Sequence, residues 1–235
     1  MKINIIEKTK DYIVIEKPAG LMVHPALGHK ELCLTDYLLK KFPQIKDVGE
    51  DKNRPGIVHR LDKNVSGIMV VALNQTAWQD LKSQFQKRTI KKEYLAIVHG
   101  EMAEEFGEIN FPIKRSAKGF KMAAVPVSFQ NEKEKSRQAL TFYEVEKKLK
   151  NFTFLKVKIK TGRTHQIRVH LLALGYPLAG DSLYFNKKSQ TRNKKLELNQ
   201  LMLFAKKLEF KNLNKEKQSF ELETPKFFTD FIERF

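Results

Sequence analysis

Residues 152–160, FTFLKVKIK, alternate strictly: Leu155, Val157 and Ile159 fall on one face, and Lys156, Lys158 and Lys160 on the other. A two-residue period is that of a strand with one buried face. Shorter apolar runs with the same character predict strands at INII, YIVIEKPAGL (ended by Pro18 and Gly20), IMVVAL, KEYLAIVHG, EINFPI, ALTFYEVEKKL and MLFAKKLEF. Four stretches carry a helical period instead. LCLTDYLLKKF puts Leu34, Leu38 and Leu39 on one face and stops before Pro43. QTAWQDLKSQFQKR follows a capping Asn74, has an Ala77, Trp78, Leu81 and Phe85 stripe, and places basic residues in its last turn. THQIRVHLLALG reads as capped by Thr164, striped by Ile167, Leu171 and Leu174, and ended by Gly175; PKFFTDFIERF closes the chain with Pro225 near its first turn.

Strands outnumber helices and mostly follow one another directly. That order predicts an α+β fold with a mixed, mostly antiparallel central sheet and flanking helices, not a doubly wound parallel one. Residues 46–56 read as a polar loop closed by Pro55-Gly56, and QNEKEKSRQ and NKKSQTRNKKLELN as loops, the second able to lie along a phosphate backbone. There is no repeat at solenoid periods and no linker, so residues 1–235 are expected to form a single domain.

Composition changes this picture in one respect. Lys and Arg number 44 against 27 acidic residues, a net charge of +17. An excess of that size favours a polyanionic partner, with nucleic acid the commonest; a plain solvated lysine surface is the alternative. No apolar run approaches the ~18 residues of a membrane span, and the N-terminus, charged throughout, lacks the form of a signal peptide. The single cysteine, Cys33, sits between Leu32 and Leu34 and reads as a small core residue. A reducing, cytoplasmic setting is expected, with no membrane partner.

Several chemistries are disfavoured. The six histidines, His24, His29, His59, His99, His165 and His170, include no HExxH pair, and one cysteine makes no thiolate cluster. TGRTHQ is neither a Walker loop nor GxGxxG, and VSG around Ser66 is not a nucleophile elbow. What remains is IVHRLDKNVSG, residues 57–67, where Asp62 interrupts an apolar approach to a buried strand. Asp62 reads either as a loop aspartate that caps a turn or pairs with Arg60, or as a working anion. A positive field favours its charged form, suiting a nucleophile or general base. Arg168 is a second oddity. At the positive end of a helix and beside an apolar stripe it gains nothing unless an anion meets it, and Asp62 is the candidate.

The segment HRLDKNVSG resembles the HRLDxxTSG signature of the RluA family of RNA pseudouridine synthases. EKPAGLMVHP, KKEYLAIVHG, TGRTHQIRVHLLALGYPLAGDSLY and LMLFAKKLEF continue the resemblance in order over nearly the whole chain. It implies uridine-to-pseudouridine isomerisation in rRNA or tRNA, without metal or cofactor, on a mixed sheet with a basic RNA-binding cleft. It places the catalytic aspartate on Asp62, the active-site tyrosine on Tyr94 and the aspartate's basic partner on Arg168. Arg60, Arg163 and His165 fall in the matching blocks and are the expected RNA-binding residues. Lys156, Lys158, Lys160, Lys187 and Lys188 are further candidates for phosphates. Three departures stand out: Val65 replaces the signature threonine, Phe204 replaces a histidine, and the chain leaves no room for the small N-terminal S4 RNA-binding module of many members. A monomer is expected. Two other classes compete. A non-catalytic RNA binder has no use for an anion in a phosphate-attracting groove, and a glycosidase usually needs a second carboxylate.

Overall fold

The structure is a computed structural model that describes residues 3–25, 31–116, 119, 121–125 and 136–235. In chain order the strands are β1 (Asn4–Lys8), β2 (Tyr12–Lys17), β3 (Ser66–Ala72), β4 (Lys91–His99), β5 (Phe106–Ile109), β6 (Ile113–Arg115), β7 (Met122–Ala124), β8 (Thr141–Leu149), β9 (Phe152–Ile159), β10 (Leu203–Lys211) and β11 (Lys217–Glu221). The helices are α1 (Leu34–Lys41), α2 (Gln75–Gln86), α3 (Gln166–Ala173), α4 (Lys187–Lys195) and α5 (Lys226–Arg234), with a 3-10 turn at Pro43–Asp47. The fold is α+β, and the pairs β1-β2, β2-β3, β4-β9, β8-β9, β5-β8, β6-β7 and β10-β11 are antiparallel. His29 and most of residues 130–138 lie outside the described residues.

The chain divides into two compact units. The first comprises residues 1–91 and 205–222, with strand order β1-β2-β3-β10 and β11 on β10. β2 and β3 are apolar on both faces: Ile13, Val14, Ile15, Met69, Val70 and Val71 have no exposed surface. α1 buries Leu34 and Leu38, while Leu39 is only half-buried. Cys33 is buried at its N-cap, beside Met22 and Val23, whose carbonyls accept from the Leu34 and Thr35 amides. α2 starts where Asn74 accepts from the Ala77 amide at 2.9 Å. It ends at Gln86, so Lys87 and Arg88 fall beyond its last turn rather than in it. Arg88, in the left-handed region (φ 58°), turns the chain out of the helix. Gly67 shows why the apolar run must open on glycine. Its φ is 125°, and a Cβ there would lie 2.3 Å from the Ala205 carbonyl oxygen.

The second unit comprises residues 92–204 and 223–235, with strand order β4-β9-β8-β5 and the β6-β7 hairpin. The alternation of β9 is as read: Leu155, Val157 and Ile159 are buried while Lys158 and Lys160 are exposed. EINFPI divides into β5 and β6, because Pro112 has no amide to donate to a ladder. α5 lays Phe228 and Phe231 inward, and Phe231 meets Phe152 edge-on at 4.9 Å. Phe204, at the position of the expected histidine, is 1% exposed with its ring 6.4 Å from Phe228; it fills core. NKKSQTRNKK is helical, not a loop. The sequence hides this because α4 has almost no apolar face: of its nine residues only Ser189 is buried.

Candidate active site

The sequence-selected residues fall into two clusters, one in each unit. In the first unit they stand on the loop between residue 57 and β3. His59 shapes that loop. Its Nε2 accepts from the Val70 amide at 3.1 Å, and its ring stacks on Phe85 at 4.6 Å. Asp62 opens a turn in which its carbonyl accepts from the Val65 amide at 3.1 Å, and Val65 is 2% exposed. An apolar side chain therefore occupies the site of the signature threonine.

Beneath that turn lies a residue that the sequence pattern does not single out. Lys17, the last residue of β2, has no exposed surface. Its ammonium donates to the carbonyls of Pro18 (2.8 Å), Leu21 (2.8 Å) and Lys63 (3.1 Å), which uses all three N–H bonds. The Gly20 amide also donates to the Lys63 carbonyl at 2.8 Å. Lys17 thus ties the end of β2 to the residue that follows Asp62. Burial pulls its pKa down to about 8, and the Asp62 charge partly opposes that fall. The available signal was the lysine of EKPAG itself, because a charge at the end of a run buried on both faces needs a built environment.

Between pH 8 and 10.5 the unfolded chain holds a proton on Lys17 that the folded chain has lost, so this group makes stability rise with pH across that window. Function should move the other way. A neutral amine has two N–H bonds for three carbonyls and no charge beside Asp62. We expect single-turnover activity to fall as pH rises through about 8 while the melting temperature does not fall with it. Lys17→Met should lose that alkaline limb and most of the activity. An unchanged pH profile in Lys17→Met would remove Lys17 from the site.

Arg60 is exposed, but its base is steered. Nη1 lies 3.2 Å from Nε2 of His24, which is 7% exposed. Arginine always donates, so His24 accepts through Nε2 and carries its proton on Nδ1, which donates to the Pro25 carbonyl at 3.0 Å. Burial, and then Arg54 and Arg60, push the His24 pKa down against the opposing Pro25 hydrogen bond and Asp51 charge, and this lowering favours the neutral acceptor.

In the second unit the site residues gather at the start of α3. Its N-cap is His165, not Thr164. His165 adopts a left-handed backbone (φ 56°, ψ 21°) and makes no side-chain cap bond. Gln166 ties the preceding turn to the helix instead: its Oε1 accepts from the Arg163 amide (3.0 Å) and the Thr161 hydroxyl (2.7 Å). The strained turn is held because the His165 ring sits with Nδ1 2.7 Å from the Tyr184 hydroxyl. Arg163 donates through Nε to the Gln138 carbonyl at 3.1 Å. Tyr94 is 8% exposed on β4, in register with Val157 of β9.

Arg168 is buried at 5% exposure. Within its own unit it is met by Asp181, a residue not singled out from the sequence. Nε donates to Oδ2 and Nη2 to Oδ1, both at 2.8 Å, the two-point grip of a guanidinium on a carboxylate. Asp181 Oδ1 also accepts from the Leu183 (2.8 Å) and Tyr184 (2.9 Å) amides, and the guanidinium stacks on the Tyr184 ring at 4.9 Å. The reading that a buried arginine here needs an anion is right in its physics. The aspartate of the GDSLY segment supplies one such anion, and five N–H donors leave the fork capacity beyond this pair. Two of the lysines expected to meet phosphate are otherwise engaged. Lys156 pairs with Glu146, the bond that most raises its pKa, and Lys158 with Glu93 at 3.8 Å. Among the described residues no group of three or more His, Cys, Asp or Glu side chains is placed to hold a metal ion, and no helix is long and apolar enough to cross a membrane.

Residues 11–173 match the family of RNA pseudouridylate synthases, a span that contains Lys17, His24, Asp62, Tyr94 and Arg168. The chain belongs to that family. Among curated relatives, an uncharacterised RNA pseudouridine synthase of Aquifex aeolicus is 41% identical over 96% of this chain and 71% of its own length. A ribosomal large subunit pseudouridine synthase D of Borreliella burgdorferi is 36% identical over 99% of this chain and 68% of its own. Others are spanned less fully, as with 52% of the synthase D of Haemophilus ducreyi. Among solved structures, human RNA pseudouridylate synthase domain containing 4 superposes with a TM-score of 0.74 at 28% identity, covering 98% of this chain and 92% of that one. The synthase fold of that human protein is thus this fold, and the expected α+β architecture with a mixed, mostly antiparallel sheet is borne out.

Proposed function

We propose that this chain isomerises uridines in structured RNA to pseudouridine, with Asp62 as the catalytic carboxylate. The observation that carries the reading is the setting of Asp62. Within a sequence span typical of the synthase family, it opens a turn whose next carbonyl is gripped by a fully buried lysine. A structure that only bound RNA would have no reason to hold an anion firmly on a chain of net charge +17, because it lowers affinity for phosphate.

The reaction breaks the C1′–N1 bond, turns the uracil and joins C1′ to C5; the proton lost from C5 is balanced by one gained at N1. Asp62 either adds to C1′ or removes a proton from C2′, and both routes need the carboxylate ionised. Tyr94 packs on the uracil and accepts or relays the C5 proton. Arg168 is the basic partner of the site, aimed by Asp181. Arg60, Arg163 and His165 bind the RNA around a uridine flipped from its stack, a step that costs a few kcal/mol. Arg60 is best prepared for this, because neutral His24 orients its exposed fork. The named activity of the synthase D relatives makes large-subunit rRNA the first place to look; tRNA is the second.

The test is to map pseudouridine across total RNA from cells with and without this protein. One or a few rRNA or tRNA positions should revert to uridine when it is absent and return when it is restored. Identical maps, with expression of the chain verified, would overturn the reading.

A further inference from the structure

We infer that α4 is an RNA-docking surface, built to present cations to phosphate. The inference rests on the proposal that RNA is this chain's partner.

The helix reads KKSQTRNKK: five cations, no carboxylate. Elsewhere several lysines pair with carboxylates: Lys63 with Glu31, Lys82 with Glu50, Lys215 with Asp80 and Lys226 with Asp230. Among the described residues none of the five α4 cations forms an ion pair. The next carboxylate along the chain, Glu197, lies past the C-cap and forms none either. Lys187, Lys188, Lys194 and Lys195 are exposed.

Local physics disfavours such a helix. It has nine residues, short of the ~12–15 at which isolated helices become even marginal. Lys187 and Lys188 stand at the positive end of the dipole, and Lys188–Arg192 and Arg192–Lys195 are like-charge neighbours on one face. It persists because its polar underside is pinned. Asn186 accepts from the Ser189 amide at 2.9 Å and Ser189 is buried. Asn193 Oδ1 accepts from the Gly180 amide at 3.1 Å and lies 2.7 Å from Nε2 of His99, which is 5% exposed. Arg192 donates from Nη1 and Nη2 to the carbonyl and Oδ1 of Asn151, both at 3.1 Å, with its guanidinium over the Phe152 ring at 5.6 Å. A helix with no apolar face is thereby fixed to the sheet with its lysines outward. A face that needed only solubility could have mixed its charges, as the faces around Lys63, Lys82, Lys215 and Lys226 do.

The position suits an extended polyanion. The anchors His99 and Phe152 are partners across β4 and β9, and Tyr94 is the partner of Val157 on the same two strands. Five residues of strand separate them, about 17 Å. That is within one RNA stem, and too far for the nucleotide at Tyr94 to reach the helix itself.

The variant that tests this is Lys187→Gln/Lys188→Gln/Lys194→Gln/Lys195→Gln, leaving the anchoring Arg192 in place. Its probe is a labelled tRNA transcript titrated between about 50 and 200 mM salt, a range over which phosphate binding changes affinity steeply. Affinity at the low end should fall roughly tenfold or more, and the log–log salt slope should flatten by about 0.7–0.9 for each phosphate that is no longer neutralised. The matching set of four Lys→Arg changes should bind like the wild type. Unchanged affinity and slope in a folded quadruple variant would overturn the inference and turn attention to a protein partner. Equal loss in the arginine set would overturn it too, since charge would not be what the RNA reads. Because binding is scored apart from turnover, a chain that makes no pseudouridine yet shows this change would sink the proposed activity and leave this surface standing.

Discussion

Asp62→Asn should abolish pseudouridine formation, a loss on the order of 10⁴-fold or more, with folding intact and RNA bound as well as before or slightly more tightly. The substitution is nearly isosteric. The turn that carries Asp62 depends on its backbone carbonyl, which accepts from Val65, and asparagine keeps that carbonyl. The three-carbonyl cage around Lys17 also stays. What disappears is the anion, and neither addition to C1′ nor proton removal from C2′ proceeds with an amide. Lys17 reports the change independently. The Asp62 charge is what holds its pKa up against burial, so the lysine should titrate below about 8 in the variant. Single-turnover assays and RNA titrations on the same preparation separate the outcomes. Turnover above trace levels would disprove the catalytic role, and binding lost together with activity would make Asp62 a structural residue.

What could be read from the sequence follows from how locally each feature is encoded. β9 was legible because burial of one face is written as a period of two, and α2 because Asn74 and its stripe lie within one helix length. α4 was not, because its stability comes from His99, Asn151 and Gly180, which lie in other parts of the chain, and a helix without an apolar face leaves no period to find. β11 was missed for a related reason. KQSFE has no apolar run, and it is a strand because β10 offers it partners from Lys207 to Lys211. α3 starts after His165 rather than Thr164, where a short polar cap is expected, because Tyr184 holds His165 in a left-handed turn from nineteen residues away. The same limit governs the site. Arg168 was recognisable as an arginine in want of an anion. Asp181 is not recognisable as an anion that meets it, because an aspartate after glycine reads as a turn until the fold buries it.

Asp181 gives the second large effect. The Arg168 and Asp181 side chains are 6% and 0% exposed, so Asp181→Ala leaves a buried guanidinium without its carboxylate and the Leu183 and Tyr184 amides without an acceptor. We expect a destabilisation of about 3–5 kcal/mol, seen in denaturant melts. Asp181→Asn should cost less, since its oxygen can still accept from both amides, but its NH₂ meets an N–H of Arg168 where an oxygen stood. Turnover should fall in both, on the order of 10²-fold, because an arginine released from a two-point grip no longer points where the reaction needs it. Stability loss alone could produce the same fall, so the deciding variant removes both partners. Arg168→Met/Asp181→Leu fills the space with apolar side chains and leaves no buried charge; such replacements are often neutral or stabilising. This double variant should recover the share of stability lost to the unpaired guanidinium, though not that of the Leu183 and Tyr184 amides, and none of the lost turnover. Arg168→Lys should recover turnover only in part, keeping the charge but not the planar fork. If the apolar double variant isomerised uridine at the wild-type rate, the pair would be a core ion pair and nothing more, and the cation that serves Asp62 would have to be sought in Lys17.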